Sequence, residues 1–324
     1  MRYLTGRLVQ TAFLLVGVSF LTFLFSSFAP GSYFDEMRLN PQISPETLAS
    51  LRAQYQLDQP IPVRYARWVT SLARGEMGYS FAYNAPVASL LWVRARNTLL
   101  LTWTATLIAW AVALPLGLWS AERRGRWPDR TLSLVSVTLL AIPDLVLALG
   151  LLILATRSGR LPTGGIVSVD FDRLTLCGKV RDLALHMALP VSALVLTILP
   201  ILVRQVRASV ADVLGAPFLR AAAAHGIPHR KLLFGYALRA AANPLISLLG
   251  FSVGTLLSGS LLIEVVTSWP GLGPLLLEAI LARDLYVVIG GVLFSTVFLA
   301  VGNFLADVLL VWADPRIRRE VTAE

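Results

Sequence analysis

The chain has 324 residues, 56% of them hydrophobic and 15% charged, with a formal net charge of +9. So large an apolar share, with the charges gathered between long apolar runs, excludes a soluble globular protein and describes one built of membrane helices. The single cysteine, Cys177, excludes an intrachain disulfide and a thiolate metal site.

Six stretches reach the length of about 17 to 25 residues needed to span a bilayer: Val9 to Phe28, Thr98 to Trp119, Leu132 to Ala155, Leu185 to Val203, Pro244 to Glu264 and Val287 to Trp312. The expected fold class is therefore all-α, a polytopic membrane protein of six helices. Arg2 and Arg7 precede the first stretch as they would a signal peptide, but Phe28-Ala29-Pro30 lacks the small-x-small cleavage pattern, so residues 1–29 are read as a retained helix.

Residues 30–97 form a small extracytoplasmic subdomain in this reading. Ser44-Pro45-Glu46 is a helix start. Leu48, Leu51, Tyr55 and Leu57 make an apolar stripe that Tyr65, Trp68, Val69 and Leu72 continue, and a turn follows at Gly75 to Gly78. Residues 98–312 are the five-helix core. In its second helix Pro143 predicts a kink at mid-depth beside Asp144. An ionisable group inside a membrane lines a path, caps a kinked turn or pairs with a neighbouring helix, and Asp144 stands open among these. Glu264 and Asp307 are the other acids within the helices.

Between Arg204 and Asn243 the sequence predicts two short helices broken at Gly226-Ile227-Pro228. Pro217 suits a first turn and Gly226 a C-terminal stop. A loop this long and this ordered docks onto something. His225 and His229 are four apart, but Gly226 and Pro228 break the helix that would align them on a metal, so no metal site is expected. Gly178-Lys179-Val180 is no phosphate-binding loop and no nucleophile elbow is present, so the chain is expected neither to hydrolyse ATP nor to act as an enzyme. Farther on, Ser268-Trp269-Pro270-Gly271-Leu272-Gly273 opens an amphipathic helix through Leu275, Leu276 and Ile280, suited to the mouth of a pathway.

The basic residues set the orientation. Arg2 and Arg7, the Arg123–Arg130 cluster, the six between Arg204 and Arg239, and Arg316, Arg318 and Arg319 all fall on one side if both termini are cytoplasmic. Positive-inside topology thus accounts for the charge, and nucleic acid is not an expected partner.

Over its whole length the chain resembles permease subunits of the dipeptide, oligopeptide and nickel class of binding-protein-dependent ABC importers. Arg220-Ala221-Ala222-Ala223-Ala224-His225-Gly226, then Tyr236-Ala237-Leu238-Arg239, resembles the permease motif that begins Glu-Ala-Ala with Gly six residues after the Glu. Leu57-Asp58-Gln59-Pro60, Gly75-Glu76-Met77-Gly78-Tyr79-Ser80, Ser268 to Gly273, Arg283-Asp284 and Asp314-Pro315-Arg316-Ile317-Arg318 extend the match. Two departures stand out: Arg220 occupies the Glu position, and Ser32 replaces the acid usual after Pro30-Gly31.

The resemblance implies a type I ABC importer permease fold in a bacterial inner membrane, with coupling helices at about 217–242 and a cytoplasmic tail at 313–324. It implies four kinds of partner: a homologous second permease, two ABC ATPases carrying ATP and Mg, an extracytoplasmic binding protein, and the lipid membrane. Residues 220–226 would contact the ATPases, and Trp68, Trp269, Pro270 and Gly271 would lie where the binding protein docks. Peptides are the first expectation for the substrate, then nickel or a nickel chelate, then another small solute; a secondary transporter is the remoter alternative.

Overall fold

The computed structural model describes residues 2–28 and 59–313, with Glu46 and Ser50 between them. The Pro30-Gly31 turn, the stripe from Leu48 to Leu57 and the tail after Ala313 lie outside the described residues. The elements are helices α1 (Arg2–Phe28) and α2 (Ile61–Leu72), strands β1 (Tyr79–Ser80) and β2 (Ala85–Pro86), and helices α3 (Val87–Glu122), α4 (Trp127–Ala141) and α5 (Asp144–Ser158). A 3-10 turn, Phe171–Arg173, leads to α6 (Leu176–Leu214) and α7 (Pro217–Ala224). There follow α8 (His229–Lys231), a π-helix (Leu232–Ala237), α9 (Leu238–Ala240), α10 (Ala242–Val266), α11 (Leu272–Leu281) and α12 (Leu285–Ala313). Among the described residues, five helices are long and apolar enough to cross a membrane, and α4 with α5 makes a sixth span if the pair is counted as one.

That pair departs from the expected kinked helix. Pro143 disfavours helical geometry at Ile142, which is extended at φ −88° and ψ 122°, and the two helices are bent by 99°. Asp144 is thereby the first residue of α5, half-buried, where the positive end of the helix dipole favours a carboxylate. Gly159, left-handed at φ 62°, ends α5.

The chain divides into two compact units, Met1–Thr5 with Leu99–Trp269 and Leu299–Glu324, and Gly6–Thr98 with Pro270–Phe298. The first is organised by α6. At 1.5 Å per residue its 39 residues reach about 58 Å, well beyond a hydrocarbon core of about 30 Å, so its ends project into the loops. Thr175 caps its start, the hydroxyl accepting from Gly178 N–H at 3.3 Å. Leu194, Ile198 and Leu202 of α6 are fully buried with Leu101, Ala105, Ala109 and Ala113 of α3, Ala148 of α5 and Leu256 and Ile263 of α10. In lipid no hydrophobic drive separates helix from solvent, so close approach of small residues supplies the attraction. The α3 alanines recur every fourth residue on one face, and a Cβ on Gly117 would meet Val206 Cβ at 2.6 Å. Trp110 of α3 also donates to Ser252 Oγ of α10 at 3.1 Å.

In the second unit α2 packs on α1 through Tyr65, whose hydroxyl lies 2.9 Å from Ser19 Oγ and whose ring meets Phe20 and Phe23 edge-on. Phe23, Trp68, Ile289 and Leu293 form the core there. The hairpin pairs Tyr79 with Pro86 and Ser80 with Ala85.

Gly117→Val should overpack the α3–α6 contact and cost about 1–3 kcal/mol. Gly150, with nothing within 4 Å of a built Cβ, should tolerate alanine. A lowered melting temperature of the purified protein for the first substitution alone is the expected result.

Candidate functional site

The loop between α6 and α10 is a folded element with a core of its own. Leu219 of α7, Leu232 and Ala237 of the π-helix are buried together, with Val213, Leu214, Ala222 and Ile227 packed against them. Pro217 in the first turn sets the start of α7, and Gly226 at φ +76° turns the chain toward α8, a conformation that suits glycine. Helical periodicity then sorts the motif. Leu219 and Ala222, three apart, face inward; Arg220, Ala221, Ala223, Ala224, His225 and Gly226 are exposed.

Ala222 is therefore turned toward the loop's own core, and only its neighbours offer small side chains to a partner. Flanking them are aromatic groups that the sequence reading did not single out as contacts. Phe218 is 50% exposed and Phe234, on the π-helix, 60%. Their signal was present: aromatic residues among Arg220, Arg230, Lys231 and Arg239, where a solvated loop has no use for them. The π-helix itself has no such signal, since its wider turn follows from how Leu232, Leu233 and Ala237 reach the core.

Two contacts fasten this loop and the end of α6 that leads into it to the segment from Ser120 to Arg130. Asp129, in the first turn of α4, is buried and accepts from Ser120 Oγ at 2.6 Å, Gly125 N–H at 2.8 Å and Arg207 Nη2 at 2.8 Å, with Arg207 Nε donating as well. Arg207 belongs to α6, ahead of Pro217. Beyond Gly226, His229 Nε2 lies 2.6 Å from Glu122 Oε1 at the end of α3. In the sequence Asp129 and Glu122 are merely two acids on the basic side of the chain. Their partners lie far along it, so spacing could not reveal them. Nδ1 of His225, for its part, lies 2.8 Å from Ala221 O within its own helix end.

Trp68 and Trp269, expected on the docking face, are 4% and 1% exposed, which corrects their role to packing. Trp68 Nε1 donates to Met77 O at 3.1 Å, and Trp269 joins the core beneath α6. Gly271 is buried and Pro270 half-buried, its carbonyl accepting from Asn97 Nδ2 at 2.8 Å, while Leu272 N–H donates to Thr98 Oγ1 at 2.9 Å. The segment is held down by hydrogen bonds between its backbone and the Asn97 and Thr98 side chains of α3. What is exposed after it is the outer face of α11: Leu277, Glu278, Ile280 and Leu281. Leu275 and Leu276 are buried. The Tyr83 hydroxyl donates to Glu278, and burial together with that carboxylate holds its pKa well above the ordinary tyrosine range, so the donor stays protonated. Asp284, buried, accepts from Ser80 Oγ at 2.6 Å and Ala82 N–H at 3.2 Å and fixes the hairpin.

Between α3 and α6 runs an apolar groove of about 530 Å³ lined by Thr104, Ile108, Met187, Val191, Ser192 and Val195 among others; Asp144 is not part of its wall.

Ala222→Arg should disrupt the loop's own core and expose 217–240 to limited proteolysis, whereas Ala221→Arg should digest like the wild type. Equal digestion of both variants would contradict this division of faces.

Residues 113–319 match the family described as binding-protein-dependent transport system inner membrane component, and residues 1–102 match the N-terminal family described for the same membrane components. The chain is similar to the oligopeptide transport system permease protein AppB of Bacillus subtilis, 31% identical over 97% of this chain and 98% of that one. It is likewise similar to the dipeptide permease protein DppB of Escherichia coli, 33% identical over 94% and 95%. The glutathione permease protein GsiC of Salmonella paratyphi A is 33% identical over 98% and 99%. Among solved structures, the MetNI methionine ABC transporter in inward-facing conformations matches 69% of this chain and 96% of its own with a TM-score of 0.57 at 16% identity, a likeness of fold.

Proposed function

Because the chain belongs to the family of binding-protein-dependent transport system inner membrane components, we propose that it is a permease subunit forming half of a peptide pathway in an ATP-driven importer. As a family member it is a multi-pass inner-membrane transport component and not an enzyme. The observation that carries the peptide assignment is that relatives aligned over nearly the full length are named for oligopeptide, dipeptide and glutathione transport, all substrates built of amide-linked amino acids. None of these three relatives is named for nickel or for coupling-ion transport.

In this reading two ABC ATPases bind ATP and Mg and take hold of the 217–240 loop. Their closure moves α7 as a rigid body, and the pathway opens toward a binding protein on the other side. A homologous second permease completes the pore. Arg220, Ala221, Ala223, Ala224, His225 and Gly226 meet the ATPase, and Ala222 keeps the contact helix seated. The exposed face of α11 takes the place of Trp68, Trp269 and the buried Gly271 as the docking candidate, beside half-buried Pro270. Both termini are cytoplasmic, in keeping with the arginine distribution.

Proteoliposomes holding this chain, its paired permease, the ATPases and the binding protein should take up peptides from a casein digest only with ATP inside. Uptake by this chain alone on an ion gradient would overturn the reading. Exposed Cys177 should react with an impermeant maleimide from outside intact cells, and a cysteine introduced at Gly125 only from inside; the reverse pattern would invert the topology. Asp144 is assigned to the pathway. Asp144→Asn should shift uptake between cationic and anionic peptides severalfold at unchanged complex yield. Lower yield with unchanged selectivity would return Asp144 to the helix dipole.

A further inference from the structure

The two contacts described above converge on one short segment, Ser120 to Arg130, and they bracket α7. Upstream, Asp129 holds Arg207 on the last turns of α6. Downstream, Glu122 holds His229 just past Gly226. The two ties differ in kind. The Asp129 side chain is 4% exposed and receives donors from Ser120, Gly125 and Arg207, so it is a buried carboxylate with its lone pairs satisfied, costly to open. The His229 side chain is 73% exposed and Glu122 26%, and a pair so solvated adds little to stability. A contact this weak opens readily, so it biases where α7 sits without fixing it there. Gly215 and Gly226 flank α7, and Gly226 turns the chain toward His229 at a left-handed φ of +76°.

We propose, resting on the permease reading, that the turn from Ser120 to Arg130 is a positioning element for transport. Asp129–Arg207 is a fixed pivot, and Glu122–His229 is a yielding latch. The latch sets how far α7 moves before the displacement passes to α3 and α4. The ATPase contact thus acts on two stems, α6 and the α3–α4 turn, rather than on α6 alone. A merely structural role would alter yield or melting temperature; a positioning role alters how ATP hydrolysis answers to the binding protein.

The test uses the whole complex in proteoliposomes with a casein digest on the binding protein. Glu122→Gln, His229→Gln and the double variant are compared for peptide taken up per ATP hydrolysed and for the stimulation of hydrolysis by the loaded binding protein. Each single variant should assemble in wild-type yield and change the stimulation about two- to fivefold, the range open to a solvated pair. The double variant should match the singles because both remove the same contact. Glu122→Asp should recover part of the effect. Asp129→Asn should lower uptake per ATP further in the complexes that do assemble. Wild-type stimulation and uptake per ATP in all three latch variants would overturn the inference, whatever Asp129→Asn does to assembly. A wild-type complex unresponsive to its loaded binding protein would instead refute the permease reading.

Discussion

The carboxylate of Asp129 is the interaction on which the rest of this structure depends. Burying an ion costs several kcal/mol, and Ser120, Gly125 and Arg207 offset that by occupying both oxygens. Removing one partner from such a pair costs about 3–5 kcal/mol because the other charge remains buried. The constraint reaches beyond energy. Ser120 belongs to α3, Asp129 to α4 and Arg207 to α6, so one side chain fixes three helix ends at the level where the loop leaves the bundle.

From that point the architecture follows α6. Its length carries it past the hydrocarbon, and its buried face meets small residues on α3, where Gly117 leaves room for Val206. Close approach seats α6 against α3, while Pro190 and Pro200 each remove one backbone hydrogen bond within it. The loop adds its own core of Leu219, Leu232 and Ala237, so α7 keeps its shape while presenting Ala221 and Ala224 outward. In the proposed reading, α6 is the stem and α7 the seated lever through which the ATPases move the membrane bundle.

Much of this was legible in the sequence because the signals are local. Apolar run length located the membrane helices, and Pro217 and Gly226 located the start and stop of α7. What was illegible depends on partners far along the chain. Pro143 announced a disturbance, but whether a helix bends or breaks depends on what its halves pack against, and here Ile142 leaves helical geometry altogether. Trp68 lies on an apolar stripe and Trp269 in a turn motif, and only the family resemblance placed them where a binding protein docks; the structure buries both. Within the alanine run, composition could not say that Ala222 alone turns inward; the position of Leu219 decides it. Asp129 and Arg207 carry no local mark, since a buried ion pair is spelled by the same letters as two surface charges.

The most direct measurement of the central claim is photocrosslinking from single positions of α7 in the assembled transporter. A crosslinker at Ala221 or Ala224 should capture the ATPase, and one at Ala222 should capture only this chain. Capture of the ATPase from Ala222 as efficiently as from Ala221, or from none of the three, would contradict the assignment of this loop as the lever.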